Sequence, residues 1–232
     1  MLASILVVIL PLLMQLPALN GDGVASARVY AAPTELVAAP APAAAQAKAS
    51  LRFVLAPEGN EARFRVREQL VGFDLPNDAI GSTAKIDGAL MLGANGQIMR
   101  DSSRFTVDLT TLTSDRSQRD GYIKRRTIVT DSFPTAVFVP TSAQDLPAAL
   151  PATGDLAFSL TGDLTIHGVT KPATWVVRAK RVAGGAVTGT ATTEFKFGDF
   201  NMTIPKVARV LSVDDRIVLE YDFNLVPQVA GK

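Results

Sequence analysis

Between Asp155 and His167 the side chains alternate without a slip. Leu156, Phe158, Leu160, Gly162, Leu164 and Ile166 are apolar or glycine, and the odd positions from Asp155 to His167 are small or polar. A period of two sustained over this stretch describes a β-strand with one face buried and one exposed. Fully extended it spans about 40 Å at roughly 3.3 Å per residue, well beyond an ordinary strand of ~5 to 6 residues. Strands of that length belong to elongated, curved sheets closed on themselves, and Gly162 near the middle gives the ribbon a place to bend.

Other segments repeat the pattern. "EARFRVR" sets Ala62, Phe64 and Val66 against Glu61, Arg63, Arg65 and Arg67, and "SRFTVDL" sets Phe105, Val107 and Leu109 against Arg104, Thr106 and Asp108. "RIVLEYDFNL" sets Ile217, Leu219, Tyr221, Phe223 and Leu225 against Arg216, Glu220, Asp222 and Asn224. Further strands are expected near 82 to 92, 135 to 141, 173 to 181 and 188 to 197, separated by turn signals such as "GANG" and "AGG". The expected fold is all-β, an elongated antiparallel barrel of about eight strands. Facing inward by parity are Phe64, Phe105, Phe158, Leu160, Leu164, Trp175, Phe195, Phe197 and Tyr221.

Parity also constrains the turns. Inward residues are even before "HGVT" and odd after it, so the loop there has two or four residues. Pro172 lacks an N–H and needs a position outside the hydrogen-bonded pairs. This favours a four-residue loop, His167 to Thr170, over a two-residue loop at Gly168-Val169, with Trp175 opposite Gly162 in either and His167 at a rim of the barrel. In "RVAGGAV" both arms are odd, which predicts a three-residue loop at 183 to 185 or a bulge, with a glycine at positive φ. "TSDRSQRDGYIKRRTIV" reads as a short capping helix or ordered surface loop, with Ser114 and Asp115 as caps and Gly121 limiting its length. It serves either as a lid or as a solvated crossover.

The N-terminal part is different. "MLASILVVILPLLMQLPALN" is uncharged and is followed by an Ala-x-Ala pattern at Ala25 to Ala27. Residues 1–27 are therefore an export signal or a retained membrane anchor, the latter disfavoured by Pro11 and Pro17 in a span of marginal length. Residues 28–50 form an Ala/Pro-rich linker with no periodic apolar face. The barrel is expected over 51–227, with a tail at 228–232. A secreted or cell-envelope (periplasmic) location follows from this reading.

Several functions are disfavoured by what the chain contains. Twenty-three Lys and Arg against 22 Asp and Glu leave no basic excess for nucleic acid. There is no cysteine and one histidine, which leaves no thiolate site and little basis for a resident metal or cofactor. His167 reads as a turn residue that hydrogen-bonds a ligand head group or the adjoining loop, ahead of a catalytic base; the chain is not expected to be an enzyme.

Three strings, "LTIHGVTKP", "QRDGYIKRRTIVTDSFPTAVFVP" and "FGDFNMTIPKVARVLSVDDRIVLEYDF", together resemble the YceI-like family of exported lipid-binding proteins, over about Leu51 to Val226. The resemblance implies a lipocalin-like barrel of eight strands whose apolar cavity holds an isoprenoid chain, such as a quinone or polyprenyl compound, or another long-chain amphiphile. Tyr122 stands where many members carry a histidine, and "EARFRVREQL" lacks another, so head-group contacts are not carried over from those positions. On this reading the ten candidate ligand contacts are the nine inward residues and His167. The alternatives are a membrane-tethered structural or interaction barrel with a filled interior and no ligand, and, less favoured, an esterase-like enzyme.

Overall fold

The computed structural model describes residues 50–228. The expectations for residues 1–27, for the linker up to residue 49 and for the tail beyond residue 228 lie outside it. Eleven strands form one antiparallel sheet: β1 (Leu51–Leu55), β2 (Glu61–Leu70), β3 (Asn77–Thr83), β4 (Ile86–Leu92), β5 (Arg104–Asp108), β6 (Thr113–Ser114), β7 (Thr135–Gln144), β8 (Gly154–Ile166), β9 (Val169–Arg181), β10 (Val187–Phe195) and β11 (Val210–Gln228). One short helix, α1 (Ser117–Tyr122), follows β6.

The eleven strands make eight staves. Both β1 and β2 run antiparallel to β11, pairing Leu55 with Leu225 and Glu61 with Asp222, so they are one stave interrupted at residues 56–60. In the same way β3 and β4 return along β2 and β1, and β5 and β6 along β4 and β3. The chain then passes through β7, β8, β9, β10 and β11 in order, and β11 closes on β1 and β2. The result is an up-and-down barrel of eight staves. Closure leaves no long unpaired edge, which an exposed sheet would otherwise offer to other chains.

The thirteen-residue ribbon is β8, and its parity holds, with Leu156, Gly162, Leu164 and Ile166 buried. The three-residue turn at 183 to 185 is also present: Val182 N–H donates to Ala186 O at 2.9 Å, and Gly184 and Gly185 both have positive φ.

The other hairpin differs by one step. Ile166 faces Val169, so the loop is the two-residue His167-Gly168 turn, with φ of 51° and 73°. Two consecutive residues at positive φ match the type I′ geometry that follows the twist of the strands, and histidine tolerates that region better than most residues. Bonded and non-bonded pairs alternate away from the bonded Ile166–Val169 pair, and Pro172 falls opposite Asp163 at a non-bonded position. The proline constraint is thus met in a tighter loop. Trp175 consequently faces Leu160, and Gly162 faces Ala173.

Gly162 is required by its other neighbour. A Cβ there would lie 2.4 Å from Val139 O and 2.7 Å from Pro140 Cα, beside the bulge that β7 makes between Pro140 and Ser142. These are backbone atoms of β7, which cannot retreat as a flexible side chain could. Gly162→Ala is therefore expected to cost about 2 kcal/mol by overpacking, read as a lower melting temperature of the purified protein.

The charged segment after β6 also departs from expectation. Arg116, not Ser114 or Asp115, is the helix N-cap and makes no capping side-chain bond; Ser114 instead donates from N and Oγ to Asp120 Oδ1 at 2.8 and 2.6 Å. Gly121 lies inside the helix, which continues as a π-helical turn over Ile123–Thr127. Half-buried Tyr122 and Ile123 and buried Thr127 face the cavity, and this packing offsets the ~1 kcal/mol that an interior glycine costs. Two smaller corrections apply to strand bounds. The segment near 82 to 92 spans the break between β3 and β4, and Phe197 sits in a 3₁₀ turn, Phe197–Phe200, beyond the end of β10.

Candidate functional site

The inward faces of the staves enclose a cavity of about 550 Å³, within the ~300 to 1,000 Å³ usual for ligand sites. The interior is thus not filled. Every one of the nine residues expected to face inward lines this cavity: Phe64 from β2, Phe105 from β5, Phe158, Leu160 and Leu164 from β8, Trp175 from β9, Phe195 from β10, Tyr221 from β11, and Phe197 from the 3₁₀ turn. The rings stand edge-on to one another, with Phe105 and Tyr221 centroids 6.2 Å apart and Phe138 and Trp175 5.7 Å apart. Contacts of this kind hold large side chains against each other along the wall.

The cavity has a closed and an open end. Around the 183 to 185 turn, Phe53, Leu92, Ile98, Phe223 and Leu225 form a buried cluster, with Leu146 and Leu150 packed over it. The lining residues that are exposed, Arg116, Gln118, Val207, Ala208 and Arg209, all lie at the opposite end, beside α1 and the start of β11. The mouth is between those two segments. The capping segment therefore serves as one side of a cavity mouth.

His167 does not line the cavity. Its Nδ1–H donates to Phe200 O at 3.1 Å, and its ring packs edge-on to Phe133 with centroids 4.6 Å apart. The bond ties the β8–β9 turn to the 3₁₀ turn, which is the structural one of the two roles expected for it.

The parity reading missed the polar residues inside. Glu68 continues the inward set of Ala62, Phe64 and Val66 on β2, and its side chain is only 8% exposed. Arg119 from α1 reaches it at 2.7 Å, and Asn77 Nδ2 donates to the same oxygen at 3.4 Å. Arg119 also pairs with Asp115 on its exposed side. Nearby, Thr127 Oγ1 is buried without a hydrogen-bond partner, as is Trp175 Nε1 deeper in the barrel. Both residues line the cavity and offer donors to a polar ligand atom.

Tyr221 brings a further polar group to the cavity wall. Its hydroxyl donates to Asn60 Oδ1 at 3.2 Å, and burial pushes its phenol well above the usual tyrosine range. A phenol neutral in the folded chain but free to ionise when unfolded stabilises the barrel fully below about pH 10, and that contribution is lost as pH rises beyond it. Tyr221→Phe is expected to lose about 1 kcal/mol at neutral pH with the Asn60 bond. Its melting temperature should then fall less steeply than the wild type's between about pH 9 and pH 11, which pH-dependent thermal denaturation checks.

No group of three or more metal-ligating side chains occurs among the described residues. The contents of the site are a greasy interior, one wet end and a few buried donors.

Comparison with known proteins gives the same architecture. A UPF0312 protein of Pseudomonas putida is 36% identical over 113 residues, which are 45% of this chain and 55% of that protein. One from Vibrio vulnificus is 34% identical over 104 residues, 42% and 51% of the two chains. The chain thus spans about half the length of the curated relatives it matches. Among solved structures, a polyisoprenoid binding domain from Saccharophagus degradans superposes with a TM-score of 0.59 at 13% identity, over 77% of this chain and 99% of that one. BcnA of Burkholderia cenocepacia gives 0.52 at 16% identity, over 73% and 96%. At these identities the superpositions speak to fold alone. The YceI-like domain matches residues 53–225, from the middle of β1 to the last third of β11, and the chain belongs to the YceI-like family.

Proposed function

We propose that the barrel binds an isoprenoid amphiphile, a quinone or polyprenyl compound or a similar long-chain lipid, and sequesters or transports it outside the cytoplasm. The observation that carries this is the unfilled apolar cavity with a single wet end. An amphiphile has the same polarity profile, and it fits with its tail among Phe158, Leu160 and Leu164 and its head beside Arg116, Arg119 and Thr127. The Saccharophagus degradans neighbour is a polyisoprenoid binding domain, which supports the same ligand class.

The energetics suit a carrier. Burying about twenty chain carbons contributes roughly 16 kcal/mol at ~0.8 kcal/mol per methylene. Losses of freedom on association remove about 4 to 15 kcal/mol of that. Tail burial alone thus leaves about 1 to 12 kcal/mol, to which head-group contacts add both affinity and selection. The extracytoplasmic location rests on the apolar start of the chain and its Ala-x-Ala pattern at Ala25 to Ala27.

Organic extraction of protein purified without detergent, followed by mass spectrometry, tests the ligand. One prenyl lipid per chain is the expected result. An empty barrel that also fails to take up an added prenyl quinone would contradict the proposal. Fractionation of expressing cells, with N-terminal sequencing of the recovered protein, tests the location.

A further inference from the structure

The mouth is surrounded by apolar side chains that the barrel does not use. Five large apolar residues are more than half exposed among the described residues, and four of them, Val71, Phe73, Leu75 and Leu211, flank the mouth at 54, 61, 77 and 67% exposure. The fifth, Val176, lies alone on the outer face of β9. Three of the four sit on the connection from β2 to β3, residues 71–76, which is held in place by backbone. Val71 N–H donates to Arg209 O at 3.0 Å and Phe73 N–H to Leu70 O at 3.4 Å. Leu211 joins them through a β-bulge: Val210 pairs with Leu70 and Ser212 with Gln69, so Leu211 is the extra residue. A bulge re-aims the side chain it carries.

Charge at this end is also distinctive. The segments 71–76, 115–134 and 201–211 carry seven Lys and Arg against four Asp, in a chain whose net charge is only +1. Arg116, Arg125, Arg126, Lys206 and Arg209 are exposed, as are Asp74 and Asp131, while Asp115 pairs with Arg119 and Arg116 and Asp120 accepts from Ser114. An apolar tip ringed by an excess of exposed cations, of which Arg125, Arg126, Lys206 and Arg209 are in no ion pair among the described residues, around the opening of a lipid-sized cavity, matches the interface of a bilayer with anionic head groups.

We propose that the barrel docks mouth-first on an anionic membrane surface, inserting Phe73, Leu75 and Leu211 so that the cavity opens onto the lipid phase. For its purpose this rests on the carrier role proposed above; its geometry does not. The ligand then passes between bilayer and barrel without exposing its tail to water. Basic side chains bring the mouth to the surface, an attraction that salt screens within about 8 Å at physiological strength.

The chain contains no cysteine, so single labels can be placed at will. Leu75→Cys and, at the opposite end, Ala183→Cys, each made in the full chain and coupled to an environment-sensitive fluorophore, are mixed with vesicles of phosphatidylglycerol and phosphatidylcholine. The label at 75 is expected to shift to the blue and to be quenched by a nitroxide lipid, while that at 183 is unchanged. The response should weaken on pure phosphatidylcholine and in high salt. Phe73→Ser with Leu211→Ser should weaken vesicle affinity about tenfold or more. A label at 75 that stays in water while the protein binds vesicles through another segment would overturn the proposal, as would equal signals at both positions. A signal that grows with protein concentration without vesicles would assign the patch to a second copy of the chain instead, and overturn it too. Extraction of the same preparation reports the cavity separately: a lipid-loaded barrel that does not dock contradicts docking alone, and a docking barrel that neither holds nor takes up lipid supports docking and contradicts the carrier role.

Discussion

Ala191→Phe is expected to fold and to lose about a hundredfold in affinity for long amphiphiles. Ala191 is buried on the inner face of β10, paired with Val177 on β9 and Tyr221 on β11, and its methyl lines the cavity midway between the two ends. A benzyl group there occupies space that the chain of the ligand needs. Displacing about four methylenes at ~0.8 kcal/mol each removes roughly 3 kcal/mol, which is about two decades in Kd. The folding penalty is that of a modest overpacking, about 1 to 3 kcal/mol, because a cavity rather than packed atoms receives the ring. Thr192→Phe, on the exposed face of the same strand, should leave uptake unchanged. Equilibrium binding of a fluorescent prenyl analogue to both variants checks this. Unchanged affinity in Ala191→Phe would place the ligand outside the barrel.

The second large effect concerns the bond between helix and barrel. Arg119→Leu should lower stability by about 3 kcal/mol, since it leaves the Glu68 carboxylate buried without its cation, and uncompensated charges of this kind are far more costly than the pair is beneficial. For a domain of this size that is a fall of roughly 6 to 12 °C in melting temperature. Glu68→Leu combined with Arg119→Leu should recover most of the loss, because apolar replacements of a whole buried pair are often neutral or better. The exposed Asp115 partner contributes little by comparison. Thermal denaturation of the two single variants and the double variant closes the cycle, and additive losses would show that Glu68 and Arg119 do not act as a pair.

The barrel is legible in the chain because its logic is local. Period two over β8 and parity in β2, β5, β9, β10 and β11 determine which side chains face inward, and counting parity across Gly184 and Gly185 determines a three-residue turn. The same counting leaves a choice at His167, where two loop lengths are compatible. The wider loop is favoured by Pro172, but a two-residue turn centred on His167-Gly168 also sets Pro172 at a non-bonded position, and His-Gly is a pair able to supply a type I′ turn.

What the residues do not reveal is non-local. Glu68 continues the inward parity of β2, but a charged side chain is ordinarily assigned to solvent, and its partner lies 51 residues away on α1. The division of three staves into paired strands depends on interruptions at residues 56–60, 84–85 and 109–112 that carry no strong turn signature at the last two. Whether Phe158 and Leu160 on β8 meet Phe64 on β2 across the barrel or leave room between them is a matter of barrel radius, which side-chain order along a strand does not encode. The apolar rim is likewise hidden, since Leu211 is turned outward only by the bulge.

Affinity measured for a series of amphiphiles that share one head group and differ in tail length is the most direct test of a tail-filled barrel. Binding should tighten roughly fourfold per added methylene, the factor that corresponds to ~0.8 kcal/mol each. It should level off once the cavity is full, at a shorter tail in Ala191→Phe than in the wild type. Affinity independent of tail length, in both proteins, would contradict the account.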